Sequence, residues 1–330
     1  MTTGHVLAHI GVLVYPGAQL SAVHGLTDMF RIANRLAAQQ GLSGVPALRV
    51  SHWRLGDDGQ GVERIFDTHE QADGALVALI LPPSLDDEPR MSRTGALARW
   101  ISARHAAGTT LCSICAGAFL LAETGLLDGR PATTHWSLAE RLAERFPAIR
   151  LEAGKLLIED GDIITAGGVM AWVDLGLRLV DRLISPGLML ATARFFLVDP
   201  SGREQRFYSN FSPKLHHGDE VILKVQHWLQ AQGSEKLTLP MMAAQAMLGE
   251  RTFLRRFQKA TGLTPTTYVQ HLRVGKAREL LEFSNLPIEQ VAWRVGYEDP
   301  GAFRKIFFKR VGLSPGDYRR RFSVTGHRGA

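Results

Sequence analysis

Apolar positions along residues 1–198 alternate between two spacings. Short runs rich in β-branched residues are typical of buried strands, and longer stretches with apolar residues every three or four positions are typical of helices. The strand-like runs are Ile10–Tyr15, Leu48–Trp53, Ala75–Leu81, Thr109–Ile114 and Asp162–Thr165, and the helical stretches are 22–38, 92–106, 116–124, 136–145, 168–184 and 187–197. This alternation predicts an α/β domain with a doubly wound, mostly parallel sheet and helices on both faces.

The pattern changes after residue 198. The next stretch is rich in proline, glycine, serine and charge, which is typical of a linker, although Phe207, Tyr208 and Phe211 suggest that parts of it dock. Beyond it, the apolar spacing is helical throughout. The predicted organisation is an α/β domain at 1–198, a linker at 199–217 and an all-α domain at 218–330.

One skeleton of residues occurs twice in the all-α domain. Five residues of the first copy recur in the second at a constant displacement of 50 positions. They are Phe253, Phe257, Gly262, Pro265 and Tyr268, followed by Phe303, Phe307, Gly312, Pro315 and Tyr318. Such a match indicates two copies of one small helical unit.

Each copy consists of a short predicted helix, a tight turn that contains glycine, and a second helix. Pro240–Met247 precedes Arg251–Thr261 in the first copy, and Pro287–Val295 precedes Pro300–Val311 in the second. This is the outline of a helix-turn-helix. The segment Pro265–Phe283 joins the copies and, as one helix, spans roughly 28 Å at 1.5 Å per residue. That length is close to the ~34 Å between successive major-groove faces on one side of B-DNA.

Helix starts in this domain carry recognisable signals. Four prolines are predicted in first turns, where the missing N–H has no helical partner to lose: Pro240, Pro265, Pro287 and Pro315. Thr264 and Ser314 precede two of them and are predicted N-caps.

Positive charge is concentrated in the same domain. Residues 219–330 hold 18 Lys/Arg against 10 Asp/Glu, a balance of +8, whereas residues 1–218 have a balance of −2. A helix that presents several cations can enter a major groove and contact bases and phosphates, so double-stranded DNA is the expected partner. The alternative is a helical bundle whose cations only keep it soluble. The candidate DNA-binding residues are Glu250, Arg251, Arg255, Lys259, Glu298, Asp299, Arg304, Lys305 and Lys309.

Residues 219–330 resemble the DNA-binding domain of the AraC/XylS family of bacterial transcription regulators. The resemblance is carried by Gly296-Tyr297-Glu298-Asp299, Phe303, Phe307 and Gly312-Leu313-Ser314-Pro315, with Tyr318 and Arg319 after them. The first copy departs from that pattern at Met247, where a turn glycine is common, and at Gly249, where a serine cap is common. The resemblance implies groove contacts from Arg251, Arg255, Arg304 and Lys305.

The cellular setting is predicted from what the sequence lacks. No basic region opens the N-terminus, the apolar run from Val6 to Tyr15 is interrupted by His9, and no stretch approaches the ~20 apolar residues of a membrane span. Two cysteines cannot hold together a chain of 330 residues. A cytoplasmic protein without a membrane partner is expected.

A cysteine stands between a predicted strand and a predicted helix. Thr109–Ile114 ends at Cys115, and Ala116-Gly117-Ala118 follow it. This order is typical of a nucleophile elbow, in which a strained turn exposes the side chain near a helix N-terminus. We therefore expect the helix dipole to lower the pKa of the Cys115 thiol, and His135 to supply an imidazole.

Residues 1–190 resemble the PfpI-like branch of the class I glutamine-amidotransferase-like superfamily, which implies a flavodoxin-like fold. The resemblance is carried by Tyr15-Pro16-Gly17, Ser113–Ala118, Gly125–Gly129 and Thr134-His135-Trp136. Enzymes of that branch carry a Glu or Asp where this chain has Ala22, so no catalysis is expected and Cys115 and His135 are interpreted as vestigial. A small-molecule pocket is expected instead. Its candidate residues are Cys115, Ala116, His135, Gly167, Gly168 and His24, with Asp28 and Asn34 as further possible members.

Other interpretations of the cysteines are open at this point. The spacing Cys112-x-x-Cys115 matches a redox motif, but Cys112 falls within a strand. A structural zinc site needs four ligands, and no second cysteine pair exists. Cys115 as an inert buried thiol is a further alternative. No metal and no cofactor are expected.

The two resemblances together are those of the GlxA-like subgroup of AraC-type regulators. They imply a sequence-specific DNA-binding regulator, an activator of a catabolic operon that responds to a small amine or amino-acid-like metabolite. RNA polymerase and a second copy of the chain are expected partners. The alternative is a cysteine-dependent amidase, hydratase or peptidase with a DNA-binding tail.

Overall fold

The computed structural model describes residues 7–42, 47–56, 59, 61–70, 74–86, 94–199, 203–232 and 237–324. The chain divides into two compact units, Met1–Gln205 and Arg206–Ala330. We call these unit 1 and unit 2.

Unit 1 is built on a seven-stranded sheet with the order β3-β2-β1-β4-β5-β9-β8. The five inner strands pair in parallel, and β3 and β8 pair antiparallel at the two edges. A separate parallel pair is formed by β6 and β7. The strands are β1 (Leu7–Val14), β2 (Ala47–Leu55), β3 (Val62–Asp67), β4 (Leu76–Leu81), β5 (Thr110–Ile114), β6 (Pro131–Ala132), β7 (Arg150–Leu151), β8 (Leu157–Asp160) and β9 (Ile163–Ala166). The predicted mostly parallel α/β fold is confirmed.

The helices of unit 1 cover the sheet in two groups. Helices α1, α5 and α6 pack against one another, and α2 packs against α3. Because the sheet grows outward from β1 in both directions, right-handed crossovers put α1 and α2 on opposite faces. The buried, successive residues Val12 and Leu13 of β1 fit a strand covered on both faces. The helices are α1 (Leu20–Gln39), α2 (Thr94–Ala106), α3 (Gly117–Ala122), α4 (Ala139–Arg145), α5 (Trp172–Leu183) and α6 (Pro186–Phe195).

Two features of unit 1 differ from the sequence prediction. Strands β3, β6, β7 and β8 were not predicted, because β3 is largely exposed and β6 and β7 are two residues long. Helix α5 begins at Trp172 rather than at residue 168, since Gly168 has a φ of 95°, outside the helical region.

Unit 2 is all-helical, as predicted. Its helices are α7 (Glu220–Ala231), α8 (Leu239–Gln245), α9 (Glu250–Thr261), α10 (Pro265–Phe283), α11 (Ile288–Arg294), α12 (Pro300–Val311) and α13 (Pro315–Phe322). They enclose two separate cores. Phe253, Phe257 and Tyr268 belong to the first, and Phe303, Phe307 and Tyr318 belong to the second. The long helix α10 contributes its first half to one core and its second half to the other.

The predicted helix starts are confirmed with one exception. Thr264 accepts a hydrogen bond from the Thr267 N–H at 3.3 Å, and Ser314 accepts one from the Asp317 N–H at 3.1 Å. Pro287 is the N-cap residue of α11 rather than a first-turn residue. Its fixed φ suits the extended backbone at that place.

The segment predicted as a linker is divided between the two units: Gln205 is the last residue of unit 1 and Arg206 the first of unit 2. Gln205 is buried in unit 1, where its side-chain amide donates to the Thr134 carbonyl at 2.7 Å. In unit 2, Arg278 donates to the carbonyls of Arg206 and Ser209, and Phe211 stacks on His271 with 4.6 Å between ring centroids. The docking suggested by the aromatic residues therefore holds for Phe211 and for Phe207, which is buried next to Gly312.

Candidate functional site

The second helices of the two copies present matching surfaces. Residues 251–259 of α9 and 301–309 of α12 follow the same order of buried, half-buried and exposed positions. In both helices the two phenylalanines have no exposed surface. The two phenylalanines of each helix are four residues apart and so lie on one face. They fix that face in the core, and the opposite face of the helix points outward.

In the first copy, the outward face of α9 is cationic. Arg251, Arg255 and Lys259 are all exposed. The neighbouring Arg256 is held differently, because it forms a bidentate pair with Asp219 at 2.8 and 3.0 Å. Arg256 therefore fastens α9 to the start of α7, while the other three cations stay outward.

In the second copy, Arg304, Lys305 and Lys309 of α12 are exposed. Arg304 forms an ion pair with Glu289 of α11. An exposed pair of this kind is weak and can exchange for a stronger anion. The cations that were predicted to point into solvent on both helices are therefore exposed in the structure.

The acidic candidates occupy helix starts. Glu250 and Glu298 are exposed. The Asp299 carboxylate accepts from the N–H groups of Gly301 and Ala302 at 2.8 and 3.0 Å. Asp299 is therefore the N-cap of α12, and its oxygens are already engaged with the helix.

In unit 1, Cys115 lies at the carboxyl edge of the sheet. It follows β5 directly and has a φ of 54°, the strained conformation predicted for an elbow. Its N–H donates to the Ala166 carbonyl at 2.7 Å, and its carbonyl accepts from the Thr134 hydroxyl at 2.7 Å. Gly117 is required next to it, because a Cβ there would lie 2.3 Å from the Leu81 carbonyl oxygen.

The protonation of Cys115 is the opposite of what the sequence predicted. The side chain is 3% exposed, and burial raises the pKa of the thiol to about 11, against a smaller opposing effect of a backbone hydrogen bond from Ala116. The desolvation of a thiolate outweighs the favourable helix terminus here. The prediction of a lowered pKa was therefore wrong, and the thiol is protonated at neutral pH.

The predicted imidazole, His135, is engaged elsewhere. Its Nδ1 accepts from the Ser137 N–H at 3.2 Å and lies 2.7 Å from the Ser137 hydroxyl. The ring also packs on Trp136, with 5.3 Å between centroids. Burial lowers the pKa of His135, so the ring is neutral. The hydrogen bonds of this ring cap a local turn and do not activate Cys115.

Other predicted pocket residues are distributed around the same edge and beyond it. The N–H of Gly167 donates to the Leu156 carbonyl at 2.7 Å, so it cannot also hold a ligand carboxylate. Ala116 is fully buried beside Cys115. His24 is exposed on α1, with its ring centroid 5.8 Å from that of His52. Ala22, at the place of the missing acidic residue, is fully buried in the first turn of α1.

Two further members of this set have different roles. Asn34 bonds to both backbone groups of Leu48, each at 2.8 Å, and so ties α1 to β2. Asp28 is exposed on α1. Asn34 is therefore structural.

Sequence reasoning missed two polar groups near the carboxyl edge. Gln19 is 6% exposed, and among the described residues its Oε1 has no hydrogen-bond partner. Its backbone N–H donates to the Pro83 carbonyl, just beyond β4, and its side-chain Nε2 donates to the Ser21 hydroxyl. Trp172, at the start of α5, likewise has a buried Nε1–H without a partner in the described chain. Its ring packs so close to Gly25 of α1 that a Cβ there would lie 2.5 Å from it. A lone Gln and a lone Trp carry no sequence signal for such roles.

The redox and metal alternatives can be compared with the geometry. Cys112 and Cys115 are both free and buried, and burial raises the pKa of Cys112 to about 12. Within the described ranges, no group of three or more His, Cys, Asp or Glu side chains is placed to hold a metal ion. Over the same ranges, no helix has both the length and the apolar character needed to cross a membrane.

Two families match the chain, one in each unit. The DJ-1/PfpI family matches residues 61–182, and a helix-turn-helix domain family matches residues 242–321. Each matched range lies within one of the compact units, so the two predicted resemblances are confirmed.

Relatives along most of the chain are named as regulators. The HTH-type transcriptional regulator CdhR of Pseudomonas aeruginosa is 28% identical over 315 residues, which cover 93% of this chain and 90% of CdhR. The HTH-type transcriptional regulator GlxA of Rhizobium meliloti is 27% identical over 218 residues, covering 65% of this chain and 66% of GlxA. The crystal structure of DJ-1beta from Drosophila melanogaster aligns with a TM-score of 0.45 at 18% identity, covering 59% of this chain and all of that one. Neither relative's name is that of an enzyme.

Proposed function

From the premise that this chain is a DNA-binding transcription regulator, in which a DJ-1/PfpI domain precedes an AraC-type helix-turn-helix domain, we propose that it reads one DNA site with two helices. Helices α9 and α12 enter neighbouring major-groove segments of double-stranded DNA. The observation that carries this proposal is the repeated outward cationic face of the two helices. Bases are contacted by Arg251 and Arg255 in the first segment, and by Arg304 and Lys305 in the second. Lys259 and Lys309, one turn further along, contact phosphates.

The acidic candidates have supporting roles in this proposal. Asp299 positions α12 through its cap, and Glu250 and Glu298 lie at the starts of the reading helices, where a carboxylate can accept from a cytosine amino group. The ion pair of Arg304 with Glu289 opens when DNA is bound.

Footprinting at physiological ionic strength tests the DNA proposal. The full-length protein protects a promoter sequence with two adjacent segments on one face of the duplex. Arg251→Ala weakens binding by ~1–3 kcal/mol if it contacts bases. Lys224→Ala is the matched control, because it removes an exposed cation from α7, outside both helix-turn-helix units. Equal losses in the two variants, or no protected sequence, would contradict the proposal.

We infer that the effector binds at the carboxyl edge of the unit 1 sheet. In open α/β sheets, ligands bind outside the carboxyl ends of the strands. Tyr15 follows β1, Cys115 follows β5 and Gly167 follows β9, so this edge carries the predicted pocket residues. Tyr15 donates to the Pro82 carbonyl at 2.5 Å. Burial and the nearby Cys115 raise the pKa of Tyr15 well above its ordinary value, so its hydroxyl stays neutral.

The chemistry of the effector is suggested by the two buried polar groups near this edge. Gln19 supplies an acceptor, and Trp172 supplies a donor. Leaving such groups without partners costs about 1–3 kcal/mol each, and a ligand that pairs with them recovers that energy. A small molecule with both an N–H donor and a carboxylate or carbonyl acceptor fits, which agrees with an amine or amino-acid-like metabolite. Gly168, His135 and the exposed His24 are further candidate contacts.

A thermal-shift panel of amines, amino acids and their betaines against the full chain tests this site. A ligand at 100-fold over its dissociation constant adds ~2.7 kcal/mol of stability. Gln19→Leu is expected to remove that gain, because it deletes the unpaired acceptor. The free protein loses only the hydrogen bond that the Gln19 Nε2 donates to the Ser21 hydroxyl at 2.9 Å. Gln40→Leu, at the other end of the same helix, is the control. A ligand gain that survives Gln19→Leu unchanged would place the effector elsewhere.

The response to the effector completes the proposal. The chain acts as an activator of a catabolic operon, as a homodimer that places four helix-turn-helix units on a paired site and contacts RNA polymerase. The effector must bind the active arrangement more tightly than the inactive one, since equal affinity shifts no population. In vitro transcription with and without effector measures this directly, and a repression of basal transcription by the effector-bound protein would reverse the assignment.

A further inference from the structure

A small cavity of about 120 Å³ lies at the amino edge of the unit 1 sheet, away from Cys115. His9 of β1 is paired in register with Arg49 of β2 and with Leu76 of β4, all near the starts of their strands. Cys115, by contrast, follows the carboxyl end of β5. The cavity is therefore separate from the proposed effector site.

Three guanidinium groups line this cavity. They come from Arg49 of β2, Arg64 of β3 and Arg104 of α2. In the part of the chain that the structure describes, the Asp67 carboxylate pairs with two of them, with Arg49 at 2.7 Å and with Arg64 at 2.8 Å. Counted over the described residues alone, the charged groups around this cavity therefore carry two more positive than negative charges.

The deepest of these cations is incompletely paired. Arg49 is 1% exposed, and its Nε and Nη2 donate to the two oxygens of Asp67 at 3.0 and 2.7 Å. Its Nη1 is buried and has no partner within the described ranges, and the same holds for Nε of Arg104. Burying a guanidinium with an unpaired N–H group costs free energy, and an anion in the adjacent space would offset that cost by accepting a hydrogen bond.

The other polar groups of the cavity are already satisfied. Ser51 accepts from the Trp53 indole at 2.8 Å and bonds the His9 Nε2 at 2.7 Å, and the His9 Nδ1 donates to the Gly74 carbonyl at 3.1 Å. Among the described side chains that line this cavity, the buried donors without a partner belong to Arg49 and Arg104. Both are cationic, so an acceptor that carries negative charge is the group that would satisfy them.

We propose that this cavity is a binding site for a small oxyanion, held by Arg49 and Arg104 with Arg64 at its rim. An anion between the guanidinium groups accepts hydrogen bonds from Nη1 of Arg49 and from Arg104. Because donor and acceptor are both charged, these bonds are stronger than neutral ones. The size of the cavity limits the ligand. It is comparable to the ~150 Å³ cavity that holds benzene in another protein, so an anion of about five heavy atoms, such as phosphate, fits, whereas a nucleotide does not.

The test uses inorganic phosphate and the full-length protein, by calorimetric titration at constant ionic strength set with sodium chloride. Wild type binds phosphate, and Arg104→Gln weakens the site at least tenfold. Arg99→Gln is the matched control, because it removes an exposed arginine from the same helix five residues earlier. Acetate is titrated in parallel, and tighter binding of acetate than of phosphate would assign the site to carboxylates.

The same variants distinguish this site from phosphate binding at the cationic helices of unit 2, because Arg104→Gln does not alter those helices. Equal phosphate affinity in the Arg104→Gln and Arg99→Gln proteins would overturn the proposal, as would no binding by wild type. If Arg104→Gln does not fold, Arg64→Gln replaces it, because Arg64 is exposed and lies at the rim. An unchanged affinity in Arg64→Gln would then count against the site.

Discussion

The two helix-turn-helix units bury the same positions but begin their second helices differently. In α9, the N-cap is Gly249, which has no side chain to offer, whereas α12 is capped by the Asp299 carboxylate. The preceding turns differ as well. In the turn after α8, the residue with a left-handed backbone is Met247, with a φ of 53°. In the turn after α11, it is Gly296, with a φ of 84°. Duplication has thus preserved packing more strictly than helix capping, because a core position tolerates fewer residue types than a solvent-facing cap.

The comparison also shows what makes the copies independent. Each copy has its own buried cluster, and among the described helices only α10 contributes to both. Tyr268 of α10 belongs to the first cluster and Leu281 to the second. The residues that set the shape of each copy are therefore separate from those of the other. Variants at equivalent positions can test this separation in order of effect size.

The largest effect is expected from the core phenylalanines. Phe257→Ala and Phe307→Ala each remove a fully buried ring and cost about 3–5 kcal/mol through lost burial and a cavity. If the cores are independent, Phe257→Ala lowers hydrogen-exchange protection in α9 more than in α12, and Phe307→Ala does the reverse. Equal loss of protection in both helices from either change would show one cooperative core instead.

Next come the equivalent outward cations Arg255 and Lys305. Each alanine variant is expected to weaken DNA binding by ~1–3 kcal/mol if the side chain contacts a base, with relaxed preference at one position of the site. Arg255 lies in α9, whose N-cap glycine has no side chain, and Lys305 lies in α12, which Asp299 caps. The two variants therefore compare the two proposed DNA-contacting helices directly. Competition binding with single-base substitutions in the protected sequence measures it. A uniform loss across sequences, with a smaller salt dependence, would reassign that residue to a phosphate.

The caps should produce a smaller and asymmetric effect. Asp299→Ala removes an acceptor for two helix N–H groups and costs about 1 kcal/mol. The reciprocal change, Gly249→Asp, is expected to stabilise the first copy by only a few tenths of a kcal/mol, because glycine is already an acceptable cap. Chemical denaturation of both variants checks the asymmetry. A loss from Asp299→Ala below the experimental error would mean that the cap is not used in solution.

An effect similar in size to that of the Asp299 cap is expected in acid. Burial, followed by the charges of Arg310 and Arg278, lowers the pKa of His271 to about 4, below the ~6.5 of an unfolded chain. Because the unfolded chain takes up the proton first, the stability contribution is complete above pH ~6.5 and is lost as the pH falls toward 4. We expect a loss on the order of 1 kcal/mol after allowance for partial exposure.

The second copy offers the control for this pH effect. Fifty positions after His271 stands Arg321 in place of a histidine, and its guanidinium packs over the rings of Tyr208 and Phe322. Acidification from pH 7 to 5 should therefore lower protection in α9 more than in α12, and His271→Gln should abolish that difference. Parallel loss in both helices, unaffected by His271→Gln, would assign the acid sensitivity to other groups.

Much of unit 2 was predictable because its signals are local. The bounds of α10, Pro265–Phe283, agree with the sequence prediction, since a proline after a capping threonine fixes the start and the loss of periodicity fixes the end. In unit 1, the inner strands were predictable from their apolar runs, whereas β3 and β8 were not. Both are edge strands whose hydrogen bonds to β2 and β9 define them, and such pairing leaves little trace in a half-exposed, charged sequence.

The sequence by itself determined the paired helical units, the segregation of positive charge and the strained turn at Cys115, because each depends on residues close together in the chain. Only the tertiary structure decided the protonation of that thiol. Neighbouring strands and helices bury it, and the resulting desolvation outweighs the local helix terminus. The same holds for Gln19, Trp172 and Arg49, whose unpaired atoms exist only because distant segments exclude water around them.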